Sequence, residues 1–369
     1  MNERYFHEEE HFHSRDRKQS RKDRRHAKET DRSKFKKSDM KQDDEPPPDD
    51  PNLRRGRVTA ISGEGVRVDL DGTEFLCTLK GLMKKEKMQL KNPIAVGDFV
   101  RVLPTAESEG SIAYIEKRFS ILSRTDISGK QEQLIAVNID QVLITSSLLQ
   151  PLLKPALIDR YLIATEKGNM HPVILINKID QLDEAPQEVK QLYRDFLEAY
   201  ERLGYPILSI STVDGTGIDH LRSIMKNKAS VFSGQSGVGK SSLLNAAFQF
   251  DLPIGDLTQK TYKGSHTTTT ARLLPLPDGG FCIDTPGIRS FGVWNLQKED
   301  LTRHFREFEP YAHKCRYPNC SHLIEPSCGV QEALAKEKLS SIRFESYQTL
   351  LDEIEGLDQR TKRKMEQEP

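Results

Sequence analysis

The run Gly234-Gln235-Ser236-Gly237-Val238-Gly239-Lys240-Ser241 has the spacing GxxxxGKS, and its residue types suit the handling of phosphate. Glycines so placed let backbone N–H groups turn inward around phosphate oxygens, and a helix starting just after them adds positive potential. The run follows the apolar Ala229-Ser230-Val231-Phe232 and precedes the helix-forming Ser242-Leu243-Leu244-Asn245. That strand, loop and helix context is what a phosphate loop requires. Lys240 is expected to neutralise the β- and γ-phosphates of a nucleotide, and Ser241 to ligate Mg2+. Ser233 and Ser242 flank the loop and are expected to share its nucleotide contacts.

The loop alone does not separate ATP from GTP, but Asn177-Lys178-Ile179-Asp180 does. Guanine presents two donors, N1–H and the N2 amino group, and an ionised Asp180 accepts from both. Adenine has an acceptor at N1 and no amino group at C2, so a site built for the first pattern rejects the second strongly. Asn177 is expected to brace the loop and reach the N7 edge of the base, with the stem of Lys178 along the ring. After the next predicted strand, Ser211-Thr212 stands where GTPases present backbone N–H to the guanine O6. In most GTPases the phosphate loop comes first and the NKxD motif last. Here the order is reversed, as if the sequence had been cut and rejoined at a new point.

Asp284-Thr285-Pro286-Gly287 completes the set after the strand-like Phe281-Cys282-Ile283. Asp284 is expected to hold Mg2+ through water, and the Gly287 N–H to sense the γ-phosphate. Between loop and DTPG lies Gly264-Ser265-His266-Thr267-Thr268-Thr269-Thr270, one of whose hydroxyls is expected to complete the Mg2+ shell. The catalytic water lacks its usual partner. Ras-like enzymes orient it with a Gln just after DxxG, whereas this chain has Ile288. His266 is the candidate catalytic residue in its place. Gly237 stands where some GTPases carry an Asn that recruits potassium, which argues against that device.

A second cluster, Cys315, Cys320, His322 and Cys328, reads C-x4-C-x-H-x5-C. Three thiolates and an imidazole form a closed tetrahedral Zn2+ set, which is structural rather than catalytic. Pro318 and Pro326 suit the tight turns of such a knuckle, and one zinc ion is expected to stabilise a subdomain too small to fold unaided.

These motifs must be held by elements legible from pattern. The chain has 369 residues, enough for two or three domains, with 55 basic and 55 acidic side chains. The charge is unevenly spread: residues 15–37 are strongly basic, and residues 43–50 acidic and proline-rich. Residues 1–52 lack apolar periodicity and are expected to be a disordered charged extension, either a solubilising tail or an arm contacting nucleic acid. From 53 to 118, five short β-type runs punctuated by Gly63, Asp71-Gly72 and Gly97 predict a small barrel of the OB type. Its third connection carries Lys80, Lys84, Lys85, Lys87 and Lys91, which suit a phosphate backbone or merely a solvated loop.

From 119 to 294, apolar strands alternate with helices, among them one over 155–167 with Leu157, Ile158, Tyr161 and Leu162 inward and another over 187–203. That alternation predicts a doubly wound α/β domain. Residues 295–369 read as helical and charged around the Cys/His cluster, with one or two surface helices from about 331 to 365. No apolar run is long enough to span a bilayer and no signal peptide is evident, so a cytoplasmic monomer is expected.

The order NKID, GQSGVGKSSLLN, threonine loop and DTPG, followed by C-x4-C-x-H-x5-C and preceded by an OB-like barrel, resembles the bacterial ribosome small subunit-dependent GTPase A family. The resemblance covers about residues 53–355. It implies a multidomain protein: an OB-like β-barrel, a circularly permuted P-loop GTPase domain and a helical zinc-binding subdomain. It also implies slow GTP hydrolysis stimulated by the small (30S) ribosomal subunit, contact with its rRNA, and action late in subunit maturation. By the same match Cys315, Cys320, His322 and Cys328 would be zinc ligands and His266 a catalytic candidate. Ser265 departs from the family pattern, where a basic residue often precedes the histidine. The motif order suggests that loss of the γ-phosphate repositions the zinc subdomain relative to the barrel. An rRNA-binding factor that holds GTP with negligible turnover is the alternative reading, while NKID and DTPG together disfavour a small-molecule kinase.

Overall fold

Valines and other apolar residues at every second position (Val66, Val68 and Leu70, then Phe75 and Cys77) put one side of each strand into a common core. The strands are β1 (Arg54–Ile61), β2 (Val66–Leu70), β3 (Thr73–Leu79), β4 (Phe99–Ala106) and β5 (Glu109–Ile115). They close in the order β1-β2-β3-β5-β4, with β3 and β5 parallel and the other pairs antiparallel. This is the five-stranded Greek-key barrel that the strand pattern predicts. The computed structural model describes residues 50–79, 94–125, 132–250, 271–284 and 298–366. The charged extension up to residue 49 and the five lysines Lys80 to Lys91 therefore lie outside the described residues.

A two-stranded sheet that sequence reasoning did not anticipate, β6 (Ile121–Thr125) paired antiparallel with β7 (Glu132–Val137), follows the barrel. The chain then enters an alternating domain: β8 (Gln141–Ser147), α1 (Pro155–Lys167), β9 (His171–Asn177), α2 (Gln187–Arg202), β10 (Ile207–Ile210), α3 (Ile218–Met225), β11 (Ala229–Ser233), α4 (Lys240–Phe248), β12 (Arg272–Pro275) and β13 (Phe281–Asp284). The sheet order is β10-β9-β8-β11-β13-β12, all parallel except the edge strand β12. Both faces are covered. On one, α1 and α2 bury Tyr161, Leu162, Phe196 and Tyr200 against β8, β9 and β11; on the other, α3 and α4 bury Leu221, Met225, Leu243 and Phe248. This two-sided burial explains why the central strands read as continuous apolar runs.

Barrel and sheet are locked at their junction. Gly97 (φ 94°) packs so tightly that a Cβ would lie 1.9 Å from the Val137 carbonyl oxygen, so only glycine fits. Asn138 is fully buried and accepts from the Phe119 N–H (2.9 Å) while donating to the Gly97 carbonyl (3.1 Å). Arg118 grips Asp98 through two hydrogen bonds of 2.8 Å. Arg57 reaches out of β1, donates to the Asn138 carbonyl and lies between the rings of Phe99 and Phe281. Burial pushes its pKa down to about 10.

The last region is helical: α5 (Lys298–His304), α6 (Glu309–Ala312), α7 (Gly329–Ala335) and α8 (Ser341–Glu366). The expectation of surface helices here needs correction. The first half of α8 is core, with Arg343, Phe344, Tyr347, Leu350 and Leu351 buried against Leu301, Phe305 and Phe308. Between these positions Glu345 and Thr349 are exposed and Gln348 half-buried, which gives the segment its polar look, while Ser346 is buried with the core. Among the described residues no helix is long and apolar enough to cross a membrane.

Candidate functional site

Three of the site's elements end at one edge of the sheet. Strand β11 terminates in the buried Ser233, β9 in Asn177, and β10 in Ile210 opposite Asn177. Open α/β sheets bind ligands at the carboxyl ends of their strands.

The phosphate-loop backbone is fixed by glycine. Gly234 (φ 142°) lies where a Cβ would come within 2.0 Å of the Thr145 carbonyl oxygen, and Gly239 (φ 94°) where one would meet the Asn177 amide at 2.4 Å. Gly237 is also left-handed (φ 82°), so the run turns through conformations that other residues resist. Helix α4 starts directly from it. Lys240 arches back over the loop, its Nζ donating to the carbonyls of Gly234 (2.8 Å) and Gln235 (2.7 Å). Gln235 is half-buried and Ser236 exposed, whereas Val238 is buried and anchors the loop. Ser241 is buried and Ser242 half-buried, both in the first turn of α4.

Asn177 ties the two motifs together. Its Nδ2 donates to the Val238 carbonyl at 2.8 Å, while its buried Oδ1 has no protein partner. Lys178 adopts a left-handed conformation (φ 62°), and its Nζ bridges the carbonyls of Gly237 (2.9 Å) and Gln150 (2.5 Å). Ile179 is half-buried and packs against the sheet core. Asp180 is exposed, and its Oδ1 accepts from the Ser211 hydroxyl at 2.6 Å. Ser211 departs from expectation, because its N–H is already given to the Thr216 carbonyl (3.0 Å). Its hydroxyl accepts from Val213 N (3.0 Å) and donates to Asp180. Thr212 follows, half-buried.

Sequence reasoning missed the segment 148–154 between β8 and α1. Its Gln150 carbonyl holds Lys178, its Pro151 carbonyl accepts from Ser147 Oγ (2.6 Å), and Leu148 N donates to the Asn177 carbonyl (3.3 Å). Backbone carbonyls carry no sequence signature, which is why the segment was silent. Asp284 ends β13, opposite Arg272 of β12. Its side chain is not among those described, and His266, Gly287, Ile288 and the threonine run 267–270 lie outside the described residues.

The second site is a knuckle between α6 and α7. Ligand atoms of Cys315, Cys320, His322 and Cys328 all lie within 4.8 Å of one another. Cys315 Sγ is 3.8 Å from Cys328 Sγ, and each is 3.5 Å from His322 Nδ1. A tetrahedron with metal–sulfur bonds of about 2.3 Å and a metal–nitrogen bond of about 2.0–2.1 Å has edges of about 3.8 and 3.5 Å. The residues present fit such an ion. Surrounding bonds fix their orientation: Cys328 Sγ accepts from Gln331 N (3.5 Å) as the cap of α7, and Gln331 Nε2 donates to the His322 carbonyl (3.1 Å). Glu325 ties down the turn by accepting from the amides of Ser321 (2.6 Å), Leu323 (3.2 Å) and Ile324 (3.3 Å). Slight burial would raise its pKa, but these bonds win and hold the carboxyl at about 2. Burial pushes the Cys320 thiol up to about 12, and neighbouring Cys328 and Cys315 add to the effect. Thiols so crowded become thiolates when a cation supplies the opposing charge.

A family model described as RsgA GTPase matches residues 115–294. The chain is 34% identical over 304 residues to the small ribosomal subunit biogenesis GTPase RsgA of Bacteroides fragilis (strain YCH46), covering 82% of this chain and 97% of that protein. It is 37% identical over 311 residues to the protein of the same name from Chlorobaculum parvum, covering 81% and 98%. Among solved structures, YjeQ from Thermotoga maritima superposes with a TM-score of 0.67 at 32% identity, covering 82% of this chain and 99% of that one. YloQ, described as a circularly permuted GTPase, gives 0.64 at 26%, covering 83% and 96%.

Proposed function

The chain belongs to the RsgA GTPase family, and from that footing we propose that it hydrolyses GTP to GDP and phosphate during maturation of the small ribosomal subunit. The observation that carries this reading is the exposed Asp180 carboxylate, braced by Ser211, one residue pair away from an Asn177 that is hydrogen-bonded to the phosphate loop. A base-reading acid and a phosphate cradle are thereby joined in one rigid arrangement. Asp180 accepts from N1–H and N2 of guanine, and the orphaned Asn177 Oδ1 is a buried polar atom in need of a partner. Lys240 leaves the loop carbonyls for the β- and γ-phosphates, and the amides of 234–239 line the phosphate chain. Mg2+, when bound with GTP, offsets phosphate charge. Ser241 would hold it, with Asp284 acting through water.

The same footing brings further parts. Cys315, Cys320, His322 and Cys328 hold one structural Zn2+. His266 orients the attacking water in place of a glutamine, and Gly287 senses the γ-phosphate. The barrel with its loop lysines contacts rRNA, and the protein works in the cytoplasm as a monomer stimulated by the 30S subunit. Domain limits at 52, 118 and 294 follow the changes in pattern.

Phosphate release tests the reading: wild type and His266→Ala are titrated with purified small subunits. Wild-type turnover should rise with subunit concentration, and His266→Ala should lose the rise while still binding GTP. Turnover that stays flat in wild type would favour instead a GTP-liganded rRNA-binding factor. A smaller effect is expected from Ser211→Ala. Losing a hydrogen bond to a carboxylate costs on the order of 1.5 kcal/mol, so GDP should bind about tenfold more weakly in a fluorescence titration. Unchanged affinity would remove Ser211 from the site.

A further inference from the structure

Helix α1 has two buried faces, and the second belongs to the zinc subdomain. Ile158, Tyr161 and Leu162 pack on the sheet, while Ile163 lies in the core of Leu301, Phe305, Phe308, Phe344 and Tyr347. An ionic cluster sits beside it. Asp159, 1% exposed, accepts from Tyr200 Oη (2.8 Å) and from Arg343 Nη1. Arg343, 3% exposed, also gives Nε to Glu307 (2.6 Å) and lies over the Phe305 ring at 4.4 Å. At the far end of α1, Glu166 accepts from Tyr205 (3.1 Å) and Arg306 and faces His304 (3.4 Å). Burial would raise the pKa of Glu166, but His304 and Arg306 outweigh it and keep the carboxyl ionised below its ordinary value.

The near end of α1 runs into the nucleotide site. Asp159 is about one helical turn from Pro155, and the segment 148–154 just before it is tied to Asn177 and Lys178. Lys178 Nζ then joins the Gln150 carbonyl to that of Gly237 in the phosphate loop. The path from Arg343 to Gly237 thus runs through hydrogen bonds, helix α1 and the turn 150–154, which the Leu153 N–H ties back to the Leu148 carbonyl (3.3 Å). We infer that Arg343, acting through Asp159 and α1, is a positioning residue that sets how firmly the protein holds guanine nucleotide. This rests on the nucleotide lying between Asp180 and Lys240, as proposed above. The groups it steadies face the base side and the phosphate loop, which GDP and GTP share, and the γ-phosphate does not enter. A partner that grips the zinc subdomain would therefore govern release of either nucleotide, apart from any effect on hydrolysis.

Stopped-flow release of mant-GDP and mant-GMPPNP from the full-length, zinc-loaded protein tests this. Arg343→Lys keeps the charge and loses the fork; Asp159→Asn keeps the shape and loses the charge. Each should speed release of both nucleotides by about fivefold or more, by equal factors. Val330→Ala, which thins the same core from α7, should leave release unchanged. The inference fails if neither Arg343→Lys nor Asp159→Asn alters release, if only mant-GMPPNP leaves faster, or if Val330→Ala has an equal effect. A wild type that binds no mant-GDP would instead overturn the nucleotide site itself.

Discussion

Cys320→Ser, or removal of the metal by a chelator, is expected to unfold the zinc subdomain while the barrel and sheet survive. The physical reason is the make-up of the knuckle. Residues 315–328 contain no strand or helix, and His322 (φ 63°) and Ser327 (φ 59°) both sit in left-handed backbone. Cys328 is part of the hydrophobic core and also caps α7, so the ligand set and the packing are one structure. Structural zinc contributes on the order of 10 kcal/mol or more of apparent binding energy, comparable to the whole stability of a domain. Hydrogen exchange followed by peptide mapping would check it. Peptides from 298–350 should lose protection, and those from β8, β9 and β11 should keep it. Uniform protection after metal removal would make the ion dispensable.

That outcome has a second consequence, because Ile163 completes the zinc subdomain core from α1. Loss of the subdomain would strip one face of α1 and leave Asp159 without Arg343. With the Ile163 face exposed to water and the Arg343–Asp159 pair broken, α1 loses packing and an ion pair, so peptides from α1 should also exchange faster than the strands beneath it.

The parts of the molecule legible in the sequence are those where cause and effect lie close along the chain. GxxxxGKS betrays its strand–loop–helix by local glycines, and the α1 and α2 limits follow from the spacing of apolar residues and Pro155. Strands such as β2 are visible because every second residue is buried, whereas β1 buries four in a row from Gly56 to Thr59. What escaped reading depends on distant partners. Arg343 and Asp159 are 184 residues apart, and nothing near either marks the other. Helix α1 did carry a hint. Its apolar residues (Leu157, Ile158, Leu162, Ile163) spread round more than one face, as expected of a helix buried on two sides. In α8 the charged residues hid a core stripe. The bonding of Ser211 was not legible either, since its N–H is claimed by Thr216 and its hydroxyl by Asp180, 31 residues upstream.

Asp180→Asn should exchange the protein's preferred base. In the wild type the carboxylate has one oxygen engaged by Ser211 at 2.6 Å and is otherwise exposed, ready to accept from two donors on guanine. Asparagine offers one acceptor and one amino donor. Facing guanine, that donor meets the N2 amino group, a like pairing with no hydrogen bond. Facing xanthine, whose C2 bears a carbonyl oxygen, the same donor finds an acceptor. The fold has little cause to object, because Asn and Asp are nearly equal in shape and the Ser211 hydroxyl can still donate to the amide oxygen. Sites built on hydrogen bonding reject a mismatched partner by roughly 10⁴-fold or more, and exposure of this one makes about 10²-fold a safer expectation. Isothermal titration with GDP and XDP would read the change directly: GDP affinity should fall by that factor and XDP affinity should rise. If Asp180→Asn binds GDP as tightly as wild type, the base is not read at this aspartate. If it binds neither nucleotide while remaining folded, the carboxylate serves the phosphate-loop architecture instead.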